Sequence, residues 1–225
     1  MANETHGSLA AEAAAYLRDS AGAMGGFCGI QAEIRRQEKC LLEWAQKRGV
    51  FLTDSYTAGL ERDELTTAEH AVYFGSPNGR VIKCTKPGRF GYAHGPKGKR
   101  ARFSEATPLF YLRRLELMNL VFGADLRLEG IALGKPDFGN KEELRPYVLI
   151  SQGYIERADK KHPHPSESEI EGFMANLKFR LIPDSCYNWF READEVIVLD
   201  AKQPNFIKSP EGIVPIDLIV GKAAI

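Results

Sequence analysis

The stretch "VIVLDAKQPNFIKSPEGIVPIDLIV", Val196 to Val220, sets two aspartates and an asparagine among apolar runs that otherwise read as buried strands. Asp200 closes a β-branched run, Asn205 follows five places later, and Asp217 lies between Ile216 and Leu218. An Asp at a strand end can simply start a turn. A carboxylate between two large aliphatic residues is costly unless a cation or hydrogen-bond donors meet it. "SPEG", between "NFIK" and "IVPIDLIV", has the composition of a tight turn, and a hairpin there carries Asn205 and Asp217 toward each other. Such an oxygen pair suits a hard divalent cation such as magnesium, which takes one or two carboxylates plus substrate phosphates. Asp200, at the mouth of the same hairpin, is left to orient a hydroxyl and accept its proton.

Upstream, two more charges interrupt apolar patterns. "VIKC" puts Lys83 inside a strand-like run, where its ammonium needs a partner or an edge. Thr107 as N-cap and Pro108 at the first position open a helix that Gly123 stops, and Leu109, Leu112, Glu116 and Leu120 share one stripe of it. Alone, Lys83 reads as a snorkelling residue and Glu116 as a solvated one. Together, strand Lys and helix Glu can neutralise each other.

The rest of the chain reads as alternating helices and short strands, an α+β pattern. The Ala/Gly-rich beginning up to about Gly26 is expected to fray in part. In "IQAEIRRQEKCLLEWAQKRG", Ile30, Ile34, Leu41, Trp44 and Ala45 fall on one helical face, with Gly49 as the stop. "AEHAVYF" and "GRVIKCT", joined by "GSPNG", predict an antiparallel pair. "KPGRFGYAHGPKGKRARFSEA" predicts an exposed basic loop or a small excursion, a solvated face. "RLEGIAL", "RPYVLISQ", "FRLI" and "EVIVLD" predict further strands, and Ser166 with Glu169 has capping-box spacing at a helix start.

Thirty basic and 30 acidic side chains cancel, so no global field draws the chain to nucleic acid or to an anionic membrane. The four cysteines form no C-x-x-C pattern, and neither the pair His162/His164 nor His70 has metal-ligand spacing. The N-terminus lacks the form of a signal peptide, and no apolar run reaches the ~20 residues of a membrane span. A reduced, cytoplasmic protein without membrane partners is expected.

Lys in a V-A-I-K-like strand, Glu on the next helix, D-x-x-x-x-N and a later Asp together resemble the protein-kinase motif set. More specifically, "RVIKCTKPGRFG", "TPLFYLRRLELMNLVFGADLRLEGIA", "LISQGYI" and "DAKQPNFIKSPEGIVPIDLIV" resemble the serine/threonine kinase-like domain of bacterial and phage polyvalent proteins of mobile elements. The resemblance implies a two-lobed protein-kinase-like fold: a helical extension over 1–60, a sheet-bearing N-lobe over 61–152 and a reduced C-lobe over 153–225. It implies an ATP- and magnesium-dependent phosphotransferase acting on a hydroxyl of a protein or small molecule. Lys83 would contact the nucleotide phosphates and Glu116 would hold Lys83. Thr66, Thr67 and Ala68 would lie in the phosphate-covering turn, while Gln152 and Tyr154 would lie in the adenine-reading hinge. Asp200 would be the base, and Asn205 and Asp217 would hold magnesium. The covering turn reads "TTAEH" without the usual glycines, "VL" stands before Asp200 where His-Arg is usual, and the chain ends eight residues after Asp217. These departures keep a second reading open, a pseudokinase that binds nucleotide or a protein partner without transferring phosphate.

Overall fold

The structure, a computed structural model, describes residues 4–21, 29–63, 69–94, 103–137 and 142–223. Helices and antiparallel sheets make it an α+β protein. The chain divides into two compact units: Met1–Tyr92, Glu105–Glu116 and Asp125–Tyr154 form the first, and Ala93–Ser104, Leu117–Ala124 and Ile155–Ile225 the second. Among the described residues, no helix is long and apolar enough to cross a membrane.

The first unit opens with α1 (Glu4–Ala21) and α2 (Ile30–Arg48). The expected fraying does not extend over α1, whose Ala10, Ala13, Ala14 and Leu17 are buried. Three alanines and a leucine at helical spacing cost little side-chain entropy and give a narrow apolar face. α2 buries Ile34, Leu41, Trp44 and Ala45 as expected and ends at Gly49. Ile30, by contrast, is 48% exposed, and two polar residues, Gln37 and Glu38, are buried on this helix instead.

Five antiparallel strands follow: β1 (Glu61–Arg62), β2 (His70–Phe74), β3 (Arg80–Thr85), β6 (Arg127–Gly134) and β7 (Arg145–Gly153). Their order in the sheet is β1-β2-β3-β7-β6. The expected β2–β3 hairpin forms, with Val72 opposite Lys83 and His70 opposite Thr85. One sheet face is apolar: Ile82, Cys84, Ala132 and Leu149 pack with Leu52, Leu60, Ala71, Tyr73 and Tyr147. Strand pleating puts Lys83 on the other face. β6 bulges between Leu128 and Gly130, and a Cβ at Gly130 would come within 2.5 Å of the Val50 carbonyl oxygen. That close approach lets the segment after α2 bond to β6, with Ile131 N–H donating to Val50 at 3.0 Å and Leu52 N–H to Ile131 at 2.8 Å.

The basic region expected to be an exposed loop or small excursion carries two short paired strands, β4 (Tyr92–His94) and β5 (Phe103–Glu105). Phe90 within it is completely buried, because an aromatic ring outweighs the surrounding Gly, Pro and Lys. α3 (Pro108–Phe122) begins where Thr107 and Pro108 predict. Its buried stripe is not the expected one. Tyr111, Leu112, Leu115 and Met118 are buried, while Leu120 is 79% exposed. A helix apolar on several sides leaves its spacing unable to choose among them.

The second unit contains α4 (Glu167–Asn176), with the Ser166–Glu169 capping box formed as the spacing predicts. Its four-stranded sheet runs β13-β10-β9-β8, where β8 is Arg180–Leu181, β9 Trp189–Arg191, β10 Val196–Leu199 and β13 Ile219–Lys222. β11 (Phe206–Ser209) and β12 (Gly212–Pro215) form a separate hairpin. Phe173 joins these parts, stacking on Phe122 at 6.2 Å and meeting Phe206 edge-on at 6.1 Å. Phe206 has no exposed surface, so the residue next to Asn205 anchors the hairpin in the unit's core.

Candidate functional site

In the first unit, Lys83 is 9% exposed on β3. Val72 and Ile150 stand directly opposite it on β2 and β7. Gln152, two residues beyond Ile150, shares its face, and Lys83 Nζ donates to Gln152 Oε1 at 2.9 Å. The strand end bearing Gln152 is braced from the opposite side. Arg80 donates to Ser151 Oγ at 2.7 Å and to Asp125 Oδ2 at 2.5 Å. Ser151 Oγ donates to Glu129, which also accepts from Tyr56 OH at 2.9 Å. Tyr154, just past the strand, is 64% exposed, and its N–H donates to the Gly79 carbonyl at 3.3 Å.

The expected Lys83–Glu116 pair does not form. Glu116 is half-buried on α3, with Arg113 and Arg18 as its charged neighbours, and burial pushes its carboxyl above the ordinary range despite them. The residue α3 sends inward is Arg114, which donates to Glu69. An α-helix turns about 100° per residue, so Glu116 lies roughly 200° around from Arg114 and cannot face the sheet with it. Thr66, Thr67 and Ala68 lie outside the described residues.

In the second unit, Asp200 follows the last residue of β10 with a left-handed φ of 59°. Asp tolerates this conformation better than most residues, and it turns the chain sharply out of the strand. Asn205 is 9% exposed. Its Nδ2 donates to the Asp200 carbonyl at 2.6 Å and to Asp200 Oδ2 at 2.9 Å. With both amide protons so directed, the orientation of the amide is fixed and Oδ1 remains as an acceptor for a cation. The "SPEG" turn closes as expected: Ser209 Oγ donates to the Gly212 carbonyl at 3.0 Å and accepts from Glu211 N–H at 3.2 Å. β11 and β12 then bring Ile216 N–H to the Asn205 carbonyl at 2.9 Å. Asp217, half-buried, is the next residue, so the hairpin brings the backbone before Asp217 beside Asn205.

One charged residue beside Asp200 was not anticipated. Lys202 Nζ lies 3.0 Å from Asp200 Oδ1, with its side chain 47% exposed. The signal was its D-x-K spacing within "DAKQPN". Asp200 thus has Asn205 on one oxygen and Lys202 on the other, an arrangement that fixes the direction of the carboxylate. Chemically, the second unit offers a proton-accepting carboxylate, a cation beside it and two oxygen ligands of the kind magnesium takes.

A family model described as the serine/threonine/tyrosine kinase found in polyvalent proteins matches residues 35–221, most of the chain. Comparisons with curated proteins and with solved structures gave no match.

Proposed function

The chain belongs to the family of serine/threonine/tyrosine kinases found in polyvalent proteins, and on that footing we propose that it is an ATP- and magnesium-dependent phosphotransferase. The acceptor is a hydroxyl of a protein or small molecule. The observation that carries the reading is the Asn205 amide bonded twice to Asp200, with the Asp217 turn tied back to the same asparagine. That arrangement gives D-x-x-x-x-N and the later Asp a shared local geometry, beyond their order in sequence.

The roles are assigned residue by residue. On β3, Lys83 supplies positive charge for nucleotide phosphates, and Gln152 orients it. The Ser151–Tyr154 segment supplies backbone for the base. Asn205 Oδ1 and the Asp217 carboxylate would hold a magnesium ion, which takes one or two protein oxygens and fills its other positions with water and phosphate oxygens. Bound magnesium would neutralise charge on the phosphates. Asp200 accepts the acceptor hydroxyl's proton as that oxygen bonds to the γ-phosphorus and the bond to ADP's bridging oxygen breaks. Lys202 offsets charge beside it. Catalysis then rests on positioning and electrostatics. A reduced, cytoplasmic setting in a mobile element belongs to the same reading.

A second reading is a nucleotide-binding pseudokinase. It is favoured by "TTAEH", which lacks the glycines that allow close backbone approach to phosphate, and by the unformed Lys83–Glu116 pair. Thermal melting with nucleotide tests the binding common to both. ATP with magnesium should raise Tm in wild type, and Asp217→Ala should remove the part of the shift that depends on magnesium. An unchanged Tm at millimolar ATP, with and without magnesium, would rule out both readings.

A further inference from the structure

Helix α3 delivers a cation to the sheet where an anion was expected. Arg114 Nη1 donates to Glu69 Oε1, and the two side chains are only 4% and 8% exposed. Glu69 immediately precedes β2, the strand that sets Val72 opposite Lys83. One turn earlier on α3, Tyr111 OH lies 2.8 Å from His70 Nε2, so two consecutive residues at the start of β2 are tied to the same helix. The niche for the Glu69 carboxylate is closed by backbone. A Cβ on Gly91, whose φ is 75°, would lie 2.2 Å from Glu69 Cδ. Any larger residue there displaces the acid.

The rotation of α3 is fixed from outside as well. Pro108 has no N–H, Phe110 N–H donates to Thr107 Oγ1 at 3.2 Å, and Tyr111 N–H to the Thr107 carbonyl at 3.0 Å. The remaining donor of the first turn, Leu109 N–H, reaches Oε1 of the buried Gln37 on α2 at 2.9 Å. Gln37 Nε2 in turn donates to Glu33 Oε1 at 2.6 Å, which orients the amide for that role. A helix held this way at its first turn points Arg114 inward and Glu116 away.

We propose that the Glu69–Arg114 pair is the positioning device for the Lys83 strand: a helix-to-sheet ion pair of reversed polarity, with Arg114 in the part expected of Glu116. The proposal rests on the phosphotransfer reading for its purpose, not for its geometry. Because it is buried, removing Arg114 alone strands an uncompensated carboxylate and risks unfolding. The informative variant is therefore the doubly neutralised Glu69→Gln/Arg114→Met, compared with Glu116→Gln and the conservative Arg114→Lys.

Two readouts decide it: the ATP KM against kcat, and the acetylation rate of Lys83 Nζ by acetic anhydride in nucleotide-free protein, followed by mass spectrometry. In the double variant, with cooperative melting retained, Lys83 labelling should change several-fold and KM for ATP should rise about tenfold or more. Arg114→Lys should fall between it and wild type, and Glu116→Gln should match wild type on both. Wild-type labelling of Lys83 in a folded double variant overturns the proposal, whatever the kinetics. A wild type without ATP turnover, together with altered labelling in the double variant, removes the phosphotransfer reading and leaves the positioning role supported.

Discussion

Asn205 Nδ2 donates to the Asp200 carbonyl at 2.6 Å and to Asp200 Oδ2 at 2.9 Å, joining the two ends of a turn that begins with Asp200 at a left-handed φ of 59°. One amide thus holds both the backbone of this turn and the carboxylate it presents. Asn205→Ala removes both bonds. It should cost about 1–2 kcal/mol of stability, read from denaturant melts, and lower phosphotransfer on the order of a hundredfold because the carboxylate loses its aim. A variant with wild-type turnover would show that the bond is structural alone.

Glu116 provides a test of sign. Burial raises its pKa above the ordinary carboxylate range, outweighing Arg113 and Arg18. A carboxyl whose folded pKa exceeds its unfolded one favours folding most when protonated, and that advantage is lost as pH rises through the folded pKa. At neutral pH the ionised group is therefore a liability. Glu116→Gln should raise Tm slightly at pH 7, with the gain disappearing as pH falls below about 4.5. A drop in Tm at pH 7 would mean that the carboxylate has a stabilising ionic partner.

Thiol reactivity should separate the cysteines. Burial pushes the Cys84 thiol up to about 12, so at pH 8 almost none of it is thiolate. Cys186 is exposed and Cys40 intermediate. Among these three cysteines of the native protein, a disulfide reagent should modify Cys186 fastest and Cys84 only at the rate of unfolding. Rapid modification of Cys84 would show that the apolar sheet face opens readily.

The α4 cap carries its own pH dependence. Lys208 and Ser166 hydrogen-bond Glu169 and hold its carboxyl down at about 2. A depressed pKa gives stability that is present above the unfolded value and lost as pH falls toward the folded one, here between about 4.5 and 2. Glu169→Gln should flatten that acid limb of the stability profile, and Ser166→Ala should cost about 1 kcal/mol at pH 7. An acid limb identical to wild type in Glu169→Gln would contradict this assignment.

Local signals were legible where chemistry is local. Thr107-Pro108, the Ser166–Glu169 box, the Asn78-Gly79 turn and "SPEG" each specify a geometry within a few residues, and each forms. The apposition of Asn205 and the Asp217 turn followed from one such hairpin. What could not be read was helix rotation in space. α3 is apolar on several sides, so its pattern could not say that Arg114 turns inward, and the residue that receives it, Glu69, lies 45 positions away. Gln37 was equally hidden, since a buried polar residue on an amphipathic helix is recognisable only once its distant acceptor or donor is known. β9 escaped because Trp189–Arg191 is short and pairs across turns that carry no Asn-Gly signature.

The central claim is that Asp200 accepts a proton while phosphate moves from ATP to a hydroxyl. Its most direct measurement is release and transfer of the γ-phosphate from radiolabelled ATP with magnesium, comparing wild type with Asp200→Asn, which keeps the side-chain shape but removes the base. Wild type should label itself or an added hydroxyl acceptor, and the variant should bind ATP normally yet transfer at least a hundredfold more slowly, on the order expected of a lost general base. Equal transfer by the two proteins, or none by a wild type that binds ATP, would contradict it.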